Sequence, residues 1–231
     1  MNALLNYFFS LEKQRKRLLA KAPEGPLKQF LSIPFVSEDQ SIVETQLLAL
    51  DFETTGLNAK TDKLLSVGYV TVDQGLIKLG QSEHQVVRSN GALCKDNVVI
   101  HQITDDEMAN GEPLSEVVEK LLQALAGKVM LVHFAKVEKS FLQQACLELY
   151  GMAPVFPIID TLVVAKRRLD MRDTPYDPSE LRLVNLRDHY HLPSHWQHNA
   201  LNDAVATAEL LMAQLQHNYQ GLKTPLKSVL I

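Results

Sequence analysis

Two carboxylates one residue apart close an apolar run, Leu47-Leu48-Ala49-Leu50-Asp51-Phe52-Glu53. The run reads as a buried strand, ended by the turn chemistry of Thr54-Thr55-Gly56. Strand side chains alternate, so Asp51 and Glu53 share one face and Phe52 enters the opposite layer. Two such acids repel each other and are costly to desolvate, which calls for a cation between them. Hard divalent ions such as Mg²⁺ or Mn²⁺ prefer oxygen ligands of this kind. The alternative is a pair of solvated acids on an edge strand. A third acid of the same character is Asp203, within His198-Asn199-Ala200-Leu201-Asn202-Asp203. Asn199 is a credible N-cap, Asp203 falls in the first turns of the helix, and Ala200 and Ala204 keep its face small enough to approach a sheet. On its own His198 reads more readily as a capping or surface histidine than as a catalyst.

The elements that must position these groups follow in order. Leu64–Val72 and Gly75–Leu79 read as two further strands joined at Asp73-Gln74-Gly75, which begins the sheet as an antiparallel meander. Thr104 and Glu107 have capping-box spacing, and Asp105 and Asp106 suit the positive end of that helix. Leu114, Val117, Val118, Leu121, Leu122 and Leu125 fall at helical spacing up to a stop at Gly127. Next come a strand over Val129–Val132, a helix over Lys136–Tyr150, a strand ending at Asp160 and a helix running to Arg168. Residues 171–178 form a loop, a helix covers Leu183, Leu186 and Tyr190, and a last helix runs from about Asn199 to Leu215. Its packing side is expected to carry Leu201, Val205, Ala208, Leu211, Met212 and Leu215. Short apolar strands alternating with helices predict parallel strands added to the meander, an α/β class.

The chain has 231 residues, 46% hydrophobic and 22% charged, enough for one substantial core. A formal net charge of −4 argues against a strong sequence-independent nucleic-acid binder, although a basic rim around an acidic pocket remains compatible. Cys94 and Cys146 form no Cys-x-x-Cys pair, which disfavours a zinc site or a disulfide scaffold. No apolar run is long enough to span a bilayer, and the N-terminal apolar stretch precedes its basic cluster, the reverse of a secretory signal. A cytoplasmic protein is expected. Residues 1–44 read as a helical extension and linker, with Leu4, Leu5, Phe8, Phe9 and Leu11 as an apolar stripe and Lys13, Arg15, Lys16 and Arg17 as a basic face. Pro23, Gly25 and Pro26 break that helix. Such a helix can lie on a membrane, grip nucleic acid or dock on a polymerase or other protein partner, but packing on its own domain with the basic face solvated is the expected arrangement. Residues 45–217 form the main domain and residues 218–231 a tail.

Taken together, D-x-E-T-T-G-L at residues 51–57, the later helix with Glu138 and Phe141-Leu142, and the final H-x-A-x-x-D at residues 198–203 resemble the three motifs of the DEDDh family of 3′–5′ exonucleases. That family includes the proofreading epsilon subunit of bacterial DNA polymerase III. Ile100-His101-Gln102-Ile103-Thr104 and Ile159-Asp160-Thr161-Leu162 resemble its H-x-I-T and I-D-T-L segments. The resemblance covers residues 45–217. It implies an RNase H-like fold, a five-stranded mixed sheet of three antiparallel and two parallel strands flanked by helices. It also implies that Asp51, Glu53, Glu138 and Asp203 hold two divalent cations, Mg²⁺ or Mn²⁺, with His198 as general base. Thr54, Thr55, Gly56, Leu57 and His101 would then contact the terminal nucleotide of a single-stranded DNA or RNA 3′ end, releasing nucleoside 5′-monophosphates. Two ions can clamp the attacking and departing oxygens of a phosphodiester, and an imidazole can take the water's proton near neutral pH.

One segment departs from the pattern. Family members have asparagine and aspartate where Phe134 and Glu138 stand in His133-Phe134-Ala135-Lys136-Val137-Glu138. Glutamate keeps the charge but reaches one methylene farther, so Glu138 is a variant ligand, the mark of a weakened enzyme, or a surface residue between Lys136 and Lys139. The readings that follow are an exonuclease on single-stranded DNA or short oligonucleotides, an exoribonuclease, and a nuclease-weak binding or adaptor protein on the same fold. Lys136, Lys139, Lys166, Arg167 and Arg168 could line the substrate path, though Arg167 and Arg168 read better as a solvated helix face. Trp196 is open between stacking on a base and pinning its loop.

Overall fold

The computed structural model describes residues 10–89, 103–171 and 175–231. Residues 1–9, Cys94, the segment containing His101 and residues 172–174 lie outside that description. The N-terminal apolar stripe, apart from Leu11, therefore goes untested. Leu11–Leu19 form helix α1 and Pro26–Ser32 form α2. The proline expected to end the first helix instead occupies the opening turn of a second, where its missing N–H costs nothing. Leu27, Phe30 and Leu31 of α2 are buried. Arg15 was expected on a solvated face, but it is buried at 3% exposure. Its Nε donates to Glu12 at 2.7 Å and its Nη1 donates to the carbonyl of Leu31, which ties α1 to α2. Lys16 and Arg17 remain exposed.

The sheet contains β1 (Leu47–Thr54), β2 (Leu64–Asp73), β3 (Leu76–Ile77), β4 (Glu83–Val86), β5 (Val129–Val132) and β6 (Ile158–Asp160). β1 is antiparallel to β2 and parallel to β5, and β5 is parallel to β6. The expected mixed sheet is present, with its third antiparallel position divided. Both β3 and β4 pair with β2, opposite Val72–Asp73 and opposite residues 66–69 respectively. Gln74 and Gly75 both have positive φ, which makes the tight two-residue turn into β3. A 3-10 turn over Leu79–Gln81 then interrupts the strand expected over Gly75–Leu79.

The helices are α3 (Asp105–Ala109), α4 (Leu114–Leu125), α5 (Lys136–Tyr150), α6 (Thr161–Asp170), α7 (Leu183–His189) and α8 (Ala200–Asn218). Thr104 and Glu107 form the expected capping box on α3. Gly127 and Gly151 take left-handed φ just past α4 and α5, as helix-stopping glycines do.

Alternation along β1 divides the core into two layers. Leu48, Leu50 and Phe52 join α2, α4 and α5 on one face of the sheet. Leu47 and Ala49 join Ala208, Leu211 and Leu215 of α8 on the other. Asp51 and Glu53 continue the second register, so their side chains face the layer that α8 covers. The packing side of α8 is rotated from expectation. Ala204, Thr207, Ala208, Leu211, Gln214 and Leu215 are buried, whereas Leu201, Val205 and Met212 are only half-buried. Residues 226–229 complete that layer with Leu226 and Val229, and Ile231 N–H donates to the carbonyl of Ile158 at 3.0 Å.

Candidate metal and substrate site

Gly68 is the cross-strand partner of Asp51, and a Cβ placed there would lie 2.1 Å from the backbone nitrogen of Leu201. The missing side chain lets the start of α8 rest directly on the sheet. Asn199 caps that helix, accepting from the Asn202 N–H at 3.1 Å. One turn in, Asp203 thereby meets the two strand acids. Carboxylate oxygens of Asp51, Glu53 and Asp203 lie within 4.8 Å of one another.

A cleft of about 520 Å³ opens over this group. Its walls include Thr54 and Leu57 after β1, His133, Val137 and Glu138 at the start of α5, Arg182 to Val184 at α7, and His195, Gln197 and His198 before α8. Glu138 is not a surface residue: it is 2% exposed, and its Oε2 has no hydrogen-bond partner. Burial drives its carboxyl well above the ordinary range, with the charges of Asp160 and Glu53 adding to the push. Asp51 is likewise raised well above its usual value, first by removal from water and then by Glu138, Asp203 and Glu53. Asp203 is raised by burial and by Glu53, against the pull of His195. Four acids gathered in one cleft, with Asp51, Glu138 and Asp203 raised and an orphan oxygen on Glu138, form an all-oxygen donor set that fits a hard divalent cation.

Asp160 holds the helix carrying Glu138. Its buried carboxylate accepts from the N–H groups of Phe134 at 3.0 Å, Ala135 at 2.9 Å and Leu162 at 2.9 Å. One side chain thus caps α6 and fixes the entry to α5. Phe134 in that entry has φ 74 and is 40% exposed. Asparagine tolerates this left-handed backbone better than phenylalanine does, so the departure from the family pattern falls on a strained position. Beside it, the His133 imidazole is pushed down to about 4 by burial, and its Nδ1 lies 2.8 Å from the Thr161 hydroxyl.

His198 also has left-handed backbone, φ 63, and is exposed at the cleft. Its own N–H donates to Asp203 Oδ2 at 2.9 Å, and His195 Nε2 lies 2.9 Å from Asp203 Oδ1. His195 drew no attention in the sequence because nothing in a lone histidine eight residues before an aspartate marks a contact. Arg182, the cleft's arginine, was likewise overlooked.

Of the residues expected at the nucleotide, Thr54 and Leu57 line the cleft. Thr55 and Gly56 shape the turn beside it: Thr55 exchanges hydrogen bonds with Lys63, and Thr54 Oγ1 donates to the Gly56 carbonyl at 2.7 Å. Lys166 pairs with Asp170 at 2.6 Å, and Arg167 donates to the Leu230 carbonyl at 2.9 Å. Neither lines the cleft. Trp196 is 79% exposed beside it.

A family model described as an exonuclease matches residues 48–211. Subunit epsilon of DNA polymerase III from Treponema pallidum is 30% identical over 172 residues, 74% of this chain and 76% of that protein. A PolC-type DNA polymerase III from Thermotoga petrophila is 29% identical over 177 residues, 77% of this chain but only 12% of that protein. Among solved structures, the nuclease domain of 3′hExo, described as a DEDDh family member bound to rAMP, superposes with a TM-score of 0.64 at 15% identity. That match covers 78% of this chain and 94% of the domain. Exonuclease I of E. coli in complex with a 5cy-dT13 oligonucleotide gives a TM-score of 0.61 at 14% identity, covering 76% of this chain and 41% of that one.

Proposed function

This chain belongs to the DEDDh-type exonuclease family, and from that premise we propose that it hydrolyses phosphodiester bonds from the 3′ end of single-stranded DNA or short oligonucleotides. The observation that carries the reading is the convergence of Asp51, Glu53 and Asp203 beside the buried Glu138, whose Oε2 has no hydrogen-bond partner. These four carboxylates would hold two divalent cations, Mg²⁺ or Mn²⁺. Bound there, such ions activate the attacking water and stabilise the departing oxygen. Thr54 and Leu57 would seat the terminal nucleotide, with Thr55 and Gly56 shaping the turn that presents them. His198 at the mouth of the cleft would accept the proton of the attacking water. The bond from phosphorus to the 3′ oxygen of the preceding nucleotide breaks, and a nucleoside 5′-monophosphate leaves.

Exonuclease I was solved with a DNA oligonucleotide and the 3′hExo domain with a ribonucleotide, so both sugars belong in the test. The epsilon and PolC-type relatives favour a polymerase as protein partner, with the exposed basic side of the N-terminal extension, including Lys16 and Arg17, as the docking element. Among the described residues no helix is long and apolar enough to cross a membrane; a cytoplasmic location fits the proposed role. Residues 45–217 are proposed as the catalytic unit, and α1, α2 and the tail complete its core.

A time course on a 5′-labelled oligonucleotide, in DNA and RNA forms with Mg²⁺, Mn²⁺ or chelator, tests the reading. We expect metal-dependent shortening from the 3′ end that disappears in Asp51→Ala. Absence of any ladder, with activity appearing in Glu138→Asp, would instead support a binding protein that has given up turnover.

A further inference from the structure

His195 lines the cleft, yet the ligand atoms that converge within 4.8 Å are those of Asp51, Glu53 and Asp203. Among the described residues its imidazole is hydrogen-bonded to this cluster through Asp203 alone, with Nε2 2.9 Å from Oδ1. The pair is well shielded, the two side chains being 11% and 14% exposed. A charged carboxylate can only accept, so Nε2 carries the hydrogen. The other oxygen, Oδ2, accepts from the His198 N–H at 2.9 Å. With one donor on each oxygen, the carboxylate cannot turn about its last bond without losing both, and each oxygen keeps lone pairs for a cation.

The loop that carries His195 has an anchor of its own. Arg187, 3% exposed, donates from Nη2 to the Pro193 carbonyl and from Nη1 to the Ala206 carbonyl of α8, both at 2.8 Å. It also pairs with Glu209 at 2.8 Å. The start of the loop is thus fixed to α8 without His195, so the imidazole contact serves the carboxylate rather than the attachment of the loop. We propose that His195 is a positioning residue for the cation site. Its Nε2–H holds the Asp203 carboxylate in the rotamer that meets Asp51 and Glu53, and so sets how tightly the site takes a divalent ion. Hydrogen-bond partners behind metal-ligating groups commonly act in this way. This role rests on the reading of these acids as cation ligands. It concerns affinity rather than turnover, so it can fail separately.

The test is titration of the full chain with Mn²⁺ at fixed, near-neutral pH, the free ion being read by electron paramagnetic resonance and folding by thermal unfolding in chelator. Wild type is compared with His195→Ala, His195→Gln and His195→Asn. Glutamine carries an amide donor at about the reach of Nε2, and asparagine stops one methylene short. His195→Ala and His195→Asn should weaken Mn²⁺ binding by about tenfold to a hundredfold, and His195→Gln should restore most of that loss. If His195→Ala fails to fold, the comparison of His195→Gln with His195→Asn carries the test. Wild-type affinity in His195→Ala, or equal weakening in every folded variant, would overturn this role and leave the exonuclease reading in place. A wild type that binds no Mn²⁺ would overturn both. Binding that depends on His195, in a chain that shortens no strand with any metal, would uphold the role and sink the exonuclease reading.

Discussion

Asp160 and Glu138 are both buried acids, 3% and 2% exposed, yet the fold treats them oppositely. Asp160 receives three backbone N–H donors from the starts of α5 and α6, so its charge is met by the protein itself. Glu138 lies one turn further along α5 with an orphan oxygen, and its nearby charges are other acids. The chain can evidently satisfy a buried carboxylate with backbone amides where a carboxylate is structural. The raised pKa values of Asp51 and Glu138 fit the proposed role of holding a cation from solution.

Replacing the central acid should break the contrast most strongly. Asp51→Asn is expected to lower metal-dependent turnover by about a hundredfold or more, a loss of the size seen when charge-stabilising groups are removed, read as single-turnover cleavage. Glu138→Gln should lower turnover about tenfold or more, given the sensitivity of such reactions to ligand placement. It should also raise the melting temperature in chelator near neutral pH, because it removes a buried carboxyl that is costly to ionise. Asp160→Ala should have the opposite effect on stability. Three buried N–H groups lose their acceptor, so stability falls by roughly 3 kcal/mol in denaturant titration, and turnover falls with it as the entry to α5 loosens.

The same contrast has a pH dependence. Asp51, Glu138 and Asp203 have folded pKa values above their unfolded ones, so without metal the folded chain holds protons that the unfolded chain releases above about pH 4. Their contribution to stability is present below that pH and is lost as pH rises. The melting temperature in chelator should therefore decline between pH 5 and 8, and less steeply in Asp51→Asn. The smallest effect is expected at Phe134→Asn. That change relieves left-handed strain at a largely exposed position and should add about 1 kcal/mol.

Much of this was legible from local patterns. Alternation and apolar runs located β1, β2, β5 and β6, and helical spacing located α4 and α5 at their observed ends. The strand acids and Asp203 were visible because acids in apolar surroundings conflict with burial. Features that depend on partners distant in sequence were not visible. Arg15 reads as one member of a basic face until the Leu31 carbonyl sits beside it. Pro26 reads as a stop, although the same residue starts a helix once Leu27, Phe30 and Leu31 have a core to enter. Asp160 was noticed as part of a motif, but its role required knowing that the starts of two helices meet at the end of β6. His195 and Gly68 gain meaning only from the seating of α8 on the sheet.

The most direct measurement is thermal unfolding of wild type and Asp51→Asn near neutral pH, in chelator and with increasing Mn²⁺. The account predicts a wild type of lower melting temperature in chelator that rises with added metal, and a variant that starts higher and responds little. A wild type indifferent to Mn²⁺, or an Asp51→Asn variant less stable than wild type in chelator, would contradict the claim that these acids are held in reserve for a cation.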